Sequence, residues 1–478
     1  MTPKGPAPRP LSLQPREDEH HGEQIEDVEG QHRAEDLSEP HRRVPLASGP
    51  EGNDDVRDQD RNEEKLLHGA PPPSERRAEA PETKGAHFAA LDGLRGLAIL
   101  LVLFVHFIGD DPAYTRLERV MVKAANYGVW GVDLFFVLSG FLITGILYDS
   151  KASPHYFRTF YVRRTLRIFP LYYGTLFVLL CVLPLLPGAL PVGLDETVGH
   201  SVWLWTYASN IYLAHAGAWS LPYVSHFWSL AVEEQYYLLW PFVVLALPRR
   251  SLMALCVGAS VVALGLRVAL SLAGGSDVAR VALTPCRLDA LCVGAFLALA
   301  SRPGRIAQVG HAAKPWLLAF PALVLLTSVW NITVGTLSEV VVPLRGTLVA
   351  LSFGALLVVC LAAPASSYLG RMARWGALRF LGKYSYGVYV FHGILAYYLG
   401  QHHTVDAVTS FLGSRPIAMV VQGTLAASAT LLLAIASYEL FERHFLRLKD
   451  RFAPPDESRP VTAAPVPLPL TLGERRES

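Results

Sequence analysis

With 478 residues, 51% of them apolar and 17% charged, the chain has the composition of a membrane protein carrying water-soluble tails, not that of an ordinary globular domain. Its net charge of +1 conceals an asymmetry: residues 1–85 hold 12 Lys/Arg against 20 Asp/Glu, a net of −8, which leaves +9 for the remainder. The five cysteines (Cys181, Cys256, Cys286, Cys292, Cys360) fall in apolar segments without C-x-x-C spacing, which argues for small core residues and against a metal site or a disulfide framework.

Residues 1–85 contain twelve prolines and no Phe, Tyr or Trp, too little apolar surface to offset the entropy of ordering them. The expected organisation is a disordered, acidic, Pro-rich tail over 1–85, a membrane domain over 86–447, and a disordered Pro-rich tail over 448–478. No short apolar core with a small-residue cleavage site precedes the first apolar segment, so that segment is expected to direct insertion.

The expected fold class is all-α, a polytopic bundle of about ten transmembrane helices. Apolar segments near 89–108, 127–148, 168–187, 226–247, 252–273, 282–300, 314–331, 343–363, 381–400 and 417–440 approach the ~20 residues that cross a bilayer, the sixth and seventh least well. Basic residues collect in cytoplasmic connections. Alternate connections carry 17 Lys/Arg on one side (149–167, 248–251, 301–313, 364–383, 441–451) and 5 on the other. Both termini are therefore expected in the cytoplasm, with the protein in the cytoplasmic (inner) membrane.

The first segment, LDGLRGLAILLVLFVHF, carries Arg95 near one end and His106 near the other. Ionisable side chains are costly in hydrocarbon and read as functional by default. Eleven steps of ~100° make about three turns, so a regular helix puts both on one face about 16 Å apart, Arg95 inward and His106 outward. In the second segment, YGVWGVDLFFVLSGFLITGIL, Asp133 lies at a depth comparable to His106. A carboxylate beside a histidine fixes its tautomer and raises its basicity; the competing reading is a helix cap or an ion pair. Gly128, Gly131, Gly140 and Gly145 suit close helix packing.

The approach to the third segment, HYFRTFYVRRTLRIFPLYY, places Arg164 and Arg167 on one helix face, with Arg158 and Arg163 nearby. Guanidinium groups match phosphate, so the cluster suits a phosphorylated cytoplasmic cofactor, or else anionic lipid headgroups. The connection 188–225 has no Lys or Arg but contains Trp203, Trp205, Tyr207, Tyr212, Trp219 and Tyr223, an aromatic anchor belt or a stacking surface for a sugar-like acceptor. HFWSLAVEEQYYLLWPF opens the fourth segment with Trp228 and the carboxylate pair Glu233 and Glu234. In the sixth, Arg287 and Asp289 are two apart and point to different faces, so each is expected to pair across helices. The ninth, RFLGKYSYGVYVFHGIL, puts Tyr386, Tyr389 and His392 inside the membrane, the last two on a shared face.

In order, the R-x10-H first segment, GVDLFFVLSGFLI, RRTLRIFPLYY, FWSLAVEEQYYLLWP, RLDALCVGAFLA and YSYGVYVFHGIL closely resemble acyltransferase family 3, the integral-membrane O-acyltransferases of the O-antigen and peptidoglycan acetylase type. The likeness runs over roughly 88–445. It implies ten spans and transfer of an acyl group, usually acetyl from cytoplasmic acetyl-CoA, onto a hydroxyl of an envelope glycan, a glycolipid or a secreted metabolite. The family's essential Arg and His of the first span fall on Arg95 and His106, and its cytoplasmic arginine motif on Arg164 and Arg167. The catalytic candidates are His106, Asp133 and Glu233; the donor-binding candidates are Arg95, Arg164 and Arg167; the acceptor-binding candidates are Trp228, Glu234, Arg287, Asp289, Tyr389 and His392. The expected partners are that acceptor and membrane lipid, with no nucleic acid and no metal. Some members append an SGNH-type esterase domain, for which the C-terminal stretch here is too short, so a stand-alone form is expected.

The expected mechanism has His106, oriented by Asp133 or Glu233, taking the acceptor hydroxyl's proton as its oxygen attacks the thioester, with an acyl-histidine relay left open. The rival reading is a polytopic transporter or flippase of a lipid-linked sugar, against which no pair of halves with matching broken spans is found.

Overall fold

In the computed structural model of the chain, residues 84–109, 114–186, 191–302, 304–334 and 337–448 are described. The tails expected at 1–85 and 448–478 lie outside these residues, apart from 84, 85 and 448 at their edges, which are helical. Every regular element among the described residues is helical. Ten are long: α1 (Lys84–Phe104), α2 (Gly131–Asp149), α3 (Tyr156–Phe177), α4 (Trp228–Ala246), α5 (Arg249–Leu272), α6 (Thr284–Ala300), α7 (Trp316–Thr333), α8 (Ser338–Ala362), α9 (Gly376–Gln401) and α10 (Arg415–Ser437).

These ten coincide with the ten expected segments, but their apolar character is uneven. Seven stretches, built on α1, α2, α3, α5, α6, α8 and α10, are long and apolar enough to cross a membrane. An eighth forms only if Ile306–Ala313 and α7 count as one span bent by 42°. The other two are α4 and α9, of 19 and 26 residues. They have the length, but Glu233, Glu234 and Gln235 in α4, and Lys383, five tyrosines and His392 in α9, dilute their hydropathy. A helix carries such groups across a bilayer only where neighbours cover them, and these two helices supply both glutamates and most of the hydroxyls that line the site below.

Packing is closest between α1 and α9 and between α2 and α6. Both contacts depend on missing side chains. A Cβ on Gly96 would collide with the Leu378 carbonyl, and one on Gly382 with the Asp92 carbonyl, so α1 and α9 meet backbone to backbone. Gly140 of α2 is pressed against the Leu291 carbonyl of α6, and Gly294 of α6 against the Val137 carbonyl of α2. Without a hydrophobic force between helices in lipid, such close approach is what holds a bundle together. Gly140→Val is therefore expected to cost about 1–3 kcal/mol, read as a lower melting midpoint in detergent. An unchanged midpoint would show that the α2–α6 contact yields easily.

The helix α1 does not stay regular to its end. Val105–Gly109 forms a π-helical turn carrying His106, and Val178–Val182 and Tyr438–Glu442 do the same at the ends of α3 and α10. A π turn inserts an extra residue per turn and re-aims the side chains beyond it, and such turns gather at functional sites. The aromatic connection after α3 folds into short helices at Leu194–Gly199, Ser201–Trp205 and Ser209–Ala216. Tyr207 stacks on Tyr172 at 4.2 Å and Trp205 on Tyr173 at 5.7 Å, so part of the aromatic set is spent packing on α3. Gln235 of α4 pins the connection by donating to the Tyr207 carbonyl (2.9 Å) and to Asn210 Oδ1 (3.0 Å). Trp219 remains 48% exposed.

Candidate active site

A cleft of about 830 Å³ opens between α1, α2, α3, α4 and α9. Its polar lining comprises Arg95, Arg164, Arg167, Glu233, Glu234 and Tyr237, together with Ser139, Ser229, Ser385, Tyr386 and Tyr389. A second cleft of about 730 Å³ adjoins it, lined by Asp92, Lys383, Tyr384, Tyr438 and Glu442. Arg95, Arg167 and Tyr386 border both. Arg167 is exposed although it stands within the bundle, because both clefts reach it.

Several cations brought together in an apolar bundle need compensating groups. Arg95 faces Asp92 one turn earlier at 3.4 Å, a long and weak pairing. The Arg164 guanidinium lies over the Tyr237 ring, 5.1 Å from its centroid. The Tyr237 hydroxyl is bonded to that of Ser139, and Glu233 stands beside both. Glu234 has a buried carboxylate oxygen, Oε1, with no hydrogen-bond partner among the described residues. The three arginines expected to bind the donor thus line one cavity, together with both glutamates.

His106 is outside that cavity. Its Nδ1 faces the Val102 carbonyl at 2.9 Å, and its ring meets His392 edge to face with centroids 4.7 Å apart. His392 in turn meets His226, at 4.7 Å, and Tyr389, at 5.1 Å. Tyr389 closes the gap to the cleft. Its hydroxyl is bonded to that of Ser229 and lies 3.0 Å from the His226 carbonyl, while both residues line the cavity. A pair of hydroxyls therefore stands between the arginine-lined space and a cluster of three imidazoles.

The expected contact between Asp133 and His106 gives way to an ion pair between Asp133 and Arg287. The reason is the packing of α2 on α6. Both helices start at the same end of the bundle, and Asp133 and Arg287 each lie near the first turn, so close approach at Gly140 and Gly294 sets them side by side. Both side chains are over 90% buried, and Arg287 also lies over the Phe136 ring at 5.4 Å. Asp289 pairs with Arg267 of α5 at 2.6 Å and accepts from Thr347 of α8 at 2.9 Å. Arg287 and Asp289 thus each pair across helices, as their spacing requires, and the two pairs tie α2, α5, α6 and α8 together. Trp228, expected at the acceptor, is buried at the start of α4 between Phe136 and Trp219, with centroids 6.0 Å from each.

Sequence reasoning passed over His226, Ser229, Tyr237 and Arg267, and it read Ser139, with the glycines of its helix, as a packing residue. For Arg267 the signal was present, a lone cation in an apolar run, the same criterion that singled out Arg95. For the hydroxyls and His226 no local pattern distinguishes a site residue from a packing one. Among the described residues no group of three or more His, Cys, Asp or Glu is arranged to hold a metal ion.

These features define an integral-membrane protein whose helices enclose a polar, arginine-lined cleft beside a histidine cluster. The chain belongs to acyltransferase family 3: the model of that family's acyltransferase domain matches residues 88–439. It is 31% identical over 329 residues to the putative peptidoglycan O-acetyltransferase YrhL of Bacillus subtilis, covering 64% of this chain and 48% of that one. It is 28% identical over 318 residues to the peptidoglycan O-acetyltransferase OatA of Listeria monocytogenes, covering 63% and 48%, and 25% identical over 349 residues to the O-acetyltransferase OatA of Staphylococcus aureus, covering 68% and 53%. The chain thus spans about half the length of these curated relatives. No solved structure matches it.

Proposed function

We propose that the protein is a membrane-bound O-acyltransferase that moves an acetyl group from acetyl-CoA, entering at the Arg95 end of the bundle, to a hydroxyl of an envelope glycan arriving at the His106 end. The observation that carries this reading is one cleft lined both by Arg95, Arg164 and Arg167 and by Ser229 and Tyr389, the last of which touches the histidine cluster. The names of the relatives support an acetyl donor and a glycan acceptor. The excess of Lys/Arg in the connections at the Arg95 end supports a cytoplasmic placement of that end and of both termini.

In this reading the guanidinium groups bind the donor's phosphates by charge-assisted hydrogen bonds, with Arg167 at the junction of the two clefts. The thioester reaches the Tyr389 end of the cavity. His106 removes the acceptor hydroxyl's proton as its oxygen bonds to the acyl carbon, the C–S bond breaks, and the thiolate recovers a proton. Holding the thioester beside Tyr389 and the acceptor beside His106, next to each other, supplies much of the rate. Asp133, spent on Arg287, serves architecture, and Glu233 faces the donor cavity.

The test is release of CoA thiol from acetyl-CoA by purified protein in vesicles given muramidase-released peptidoglycan fragments, with mass spectrometry of the fragments for the acetyl increment. Movement of fragments across the vesicle wall without thiol release would replace this reading by a flippase. Arg164→Ala and Arg167→Ala are each expected to raise the KM for acetyl-CoA about 10–100-fold, the equivalent of ~1.5–3 kcal/mol for a charged hydrogen bond. An unchanged KM would return these residues to a lipid-facing role.

A further inference from the structure

The histidine cluster contains a feature that a single base does not need. His106 Nδ1 faces the Val102 carbonyl at 2.9 Å, and His392 Nδ1 faces the Tyr389 carbonyl at 2.6 Å. A carbonyl only accepts, so each Nδ1 carries a proton, and in the neutral ring each Nε2 presents a lone pair. His392 is fully buried, and its Nε2 has no hydrogen-bond partner among the described residues. An unpaired acceptor inside a membrane protein is costly and calls for an explanation. The surroundings confine it there. His226, held by its Nε2 against the Val390 carbonyl at 3.2 Å, packs on the same ring with centroids 4.7 Å apart, in space left by Gly393, where a Cβ would collide with the His226 ring.

We propose that His392 is a positioning residue for His106: its bare Nε2 accepts the hydrogen bond of the proton that His106 takes from the acceptor, so that the two imidazoles share the charge. The proposal rests on the transfer reaction given above. Once His106 holds two protons it is a cation with two N–H donors in a medium that solvates it poorly. Val102 accepts one. The His392 ring, in edge-to-face contact at 4.7 Å, holds an unused lone pair for the other. The titratable groups facing His392 are His106 from α1, His226 from the turn before α4, and Tyr389 of its own helix. Atoms balance: the acceptor's O–H proton passes to His106 Nε2, the C–O bond forms, the C–S bond breaks, and the thiolate takes the proton back from the pair as free thiol.

The test uses the full chain in vesicles, acetyl-CoA and muramidase-released peptidoglycan fragments. His392→Phe is expected to lower kcat about 10–100-fold while the KM for acetyl-CoA moves less than about twofold. His392→Gln, whose side-chain carbonyl accepts the same hydrogen bond, is expected to recover most of that loss. In a His106→Gln background, His392→Phe is expected to have no further effect, because the charge it shares no longer forms. A normal kcat in His392→Phe, an undiminished effect in the His106→Gln background, or a His392→Gln variant as slow as His106→Gln would each overturn the proposal. If His392→Phe does not fold, His392→Gln decides. A wild-type protein that binds acetyl-CoA and transfers nothing would instead overturn the acyltransfer reading itself.

Discussion

Replacing His106 by alanine is expected to lower acetyl transfer from acetyl-CoA by about 10²–10⁴-fold, the contribution of a positioned general base. Binding of the donor should survive. His106 lies beyond Tyr389 and Ser229, outside the cleft that the arginines line, so its loss removes neither a phosphate contact nor a wall of the donor cavity. The matching measurements are thiol release under saturating acceptor and a direct dissociation constant for CoA, which should stay within about twofold of the wild type. The prediction separates two roles that share one helix. Arg95→Ala should raise the donor requirement, whereas His106→Ala should slow turnover at unchanged affinity. Normal transfer in His106→Ala would remove this histidine from the chemistry.

The second large effect concerns stability. Asp133→Ala leaves the Arg287 guanidinium buried without its carboxylate, and breaking a buried pair from one side costs about 3–5 kcal/mol. The double replacement Asp133→Leu with Arg287→Leu removes both charges and is expected to recover most of that loss, since buried pairs add little to stability beyond what well-packed apolar groups give. The assay is the thermal midpoint of the protein in detergent, with acetyl transfer measured on the same samples. Retained transfer in the folded double variant is the expected result and marks Asp133 as architecture. A folded but inactive double variant would restore Asp133 to a direct role beside His106.

Much of the fold was legible in the sequence because the bilayer imposes a simple rule. Each crossing needs about 20 residues whose backbone hydrogen bonds close on themselves, so length and hydropathy locate the helices. All ten expected segments have a long helix in the structure, including α4 and α9, whose polar residues blur the apolar signal. The candidate donor site was legible for the same reason. Arg95, Arg164, Arg167 and the Glu233–Glu234 pair each stood out as charges in apolar runs, and the fold gathers them around one cleft.

Partnership was another matter. Depth along a helix follows from counting residues, and depth alone set Asp133 level with His106. Which residue a side chain meets depends on which helices touch and on how each is rotated. The glycine contacts that lock α2 to α6 turn Asp133 towards Arg287, and the π turn at Val105–Gly109 re-aims His106 towards His392. His226 joins them only because Gly393 leaves room for its ring. The sequence by itself determined where the ten long helices lie, the charges that sit inside them and the family to which the chain belongs. The tertiary structure alone decided the partners, because a contact between helices is a property of two surfaces and of their rotation, and neither surface carries a record of the other.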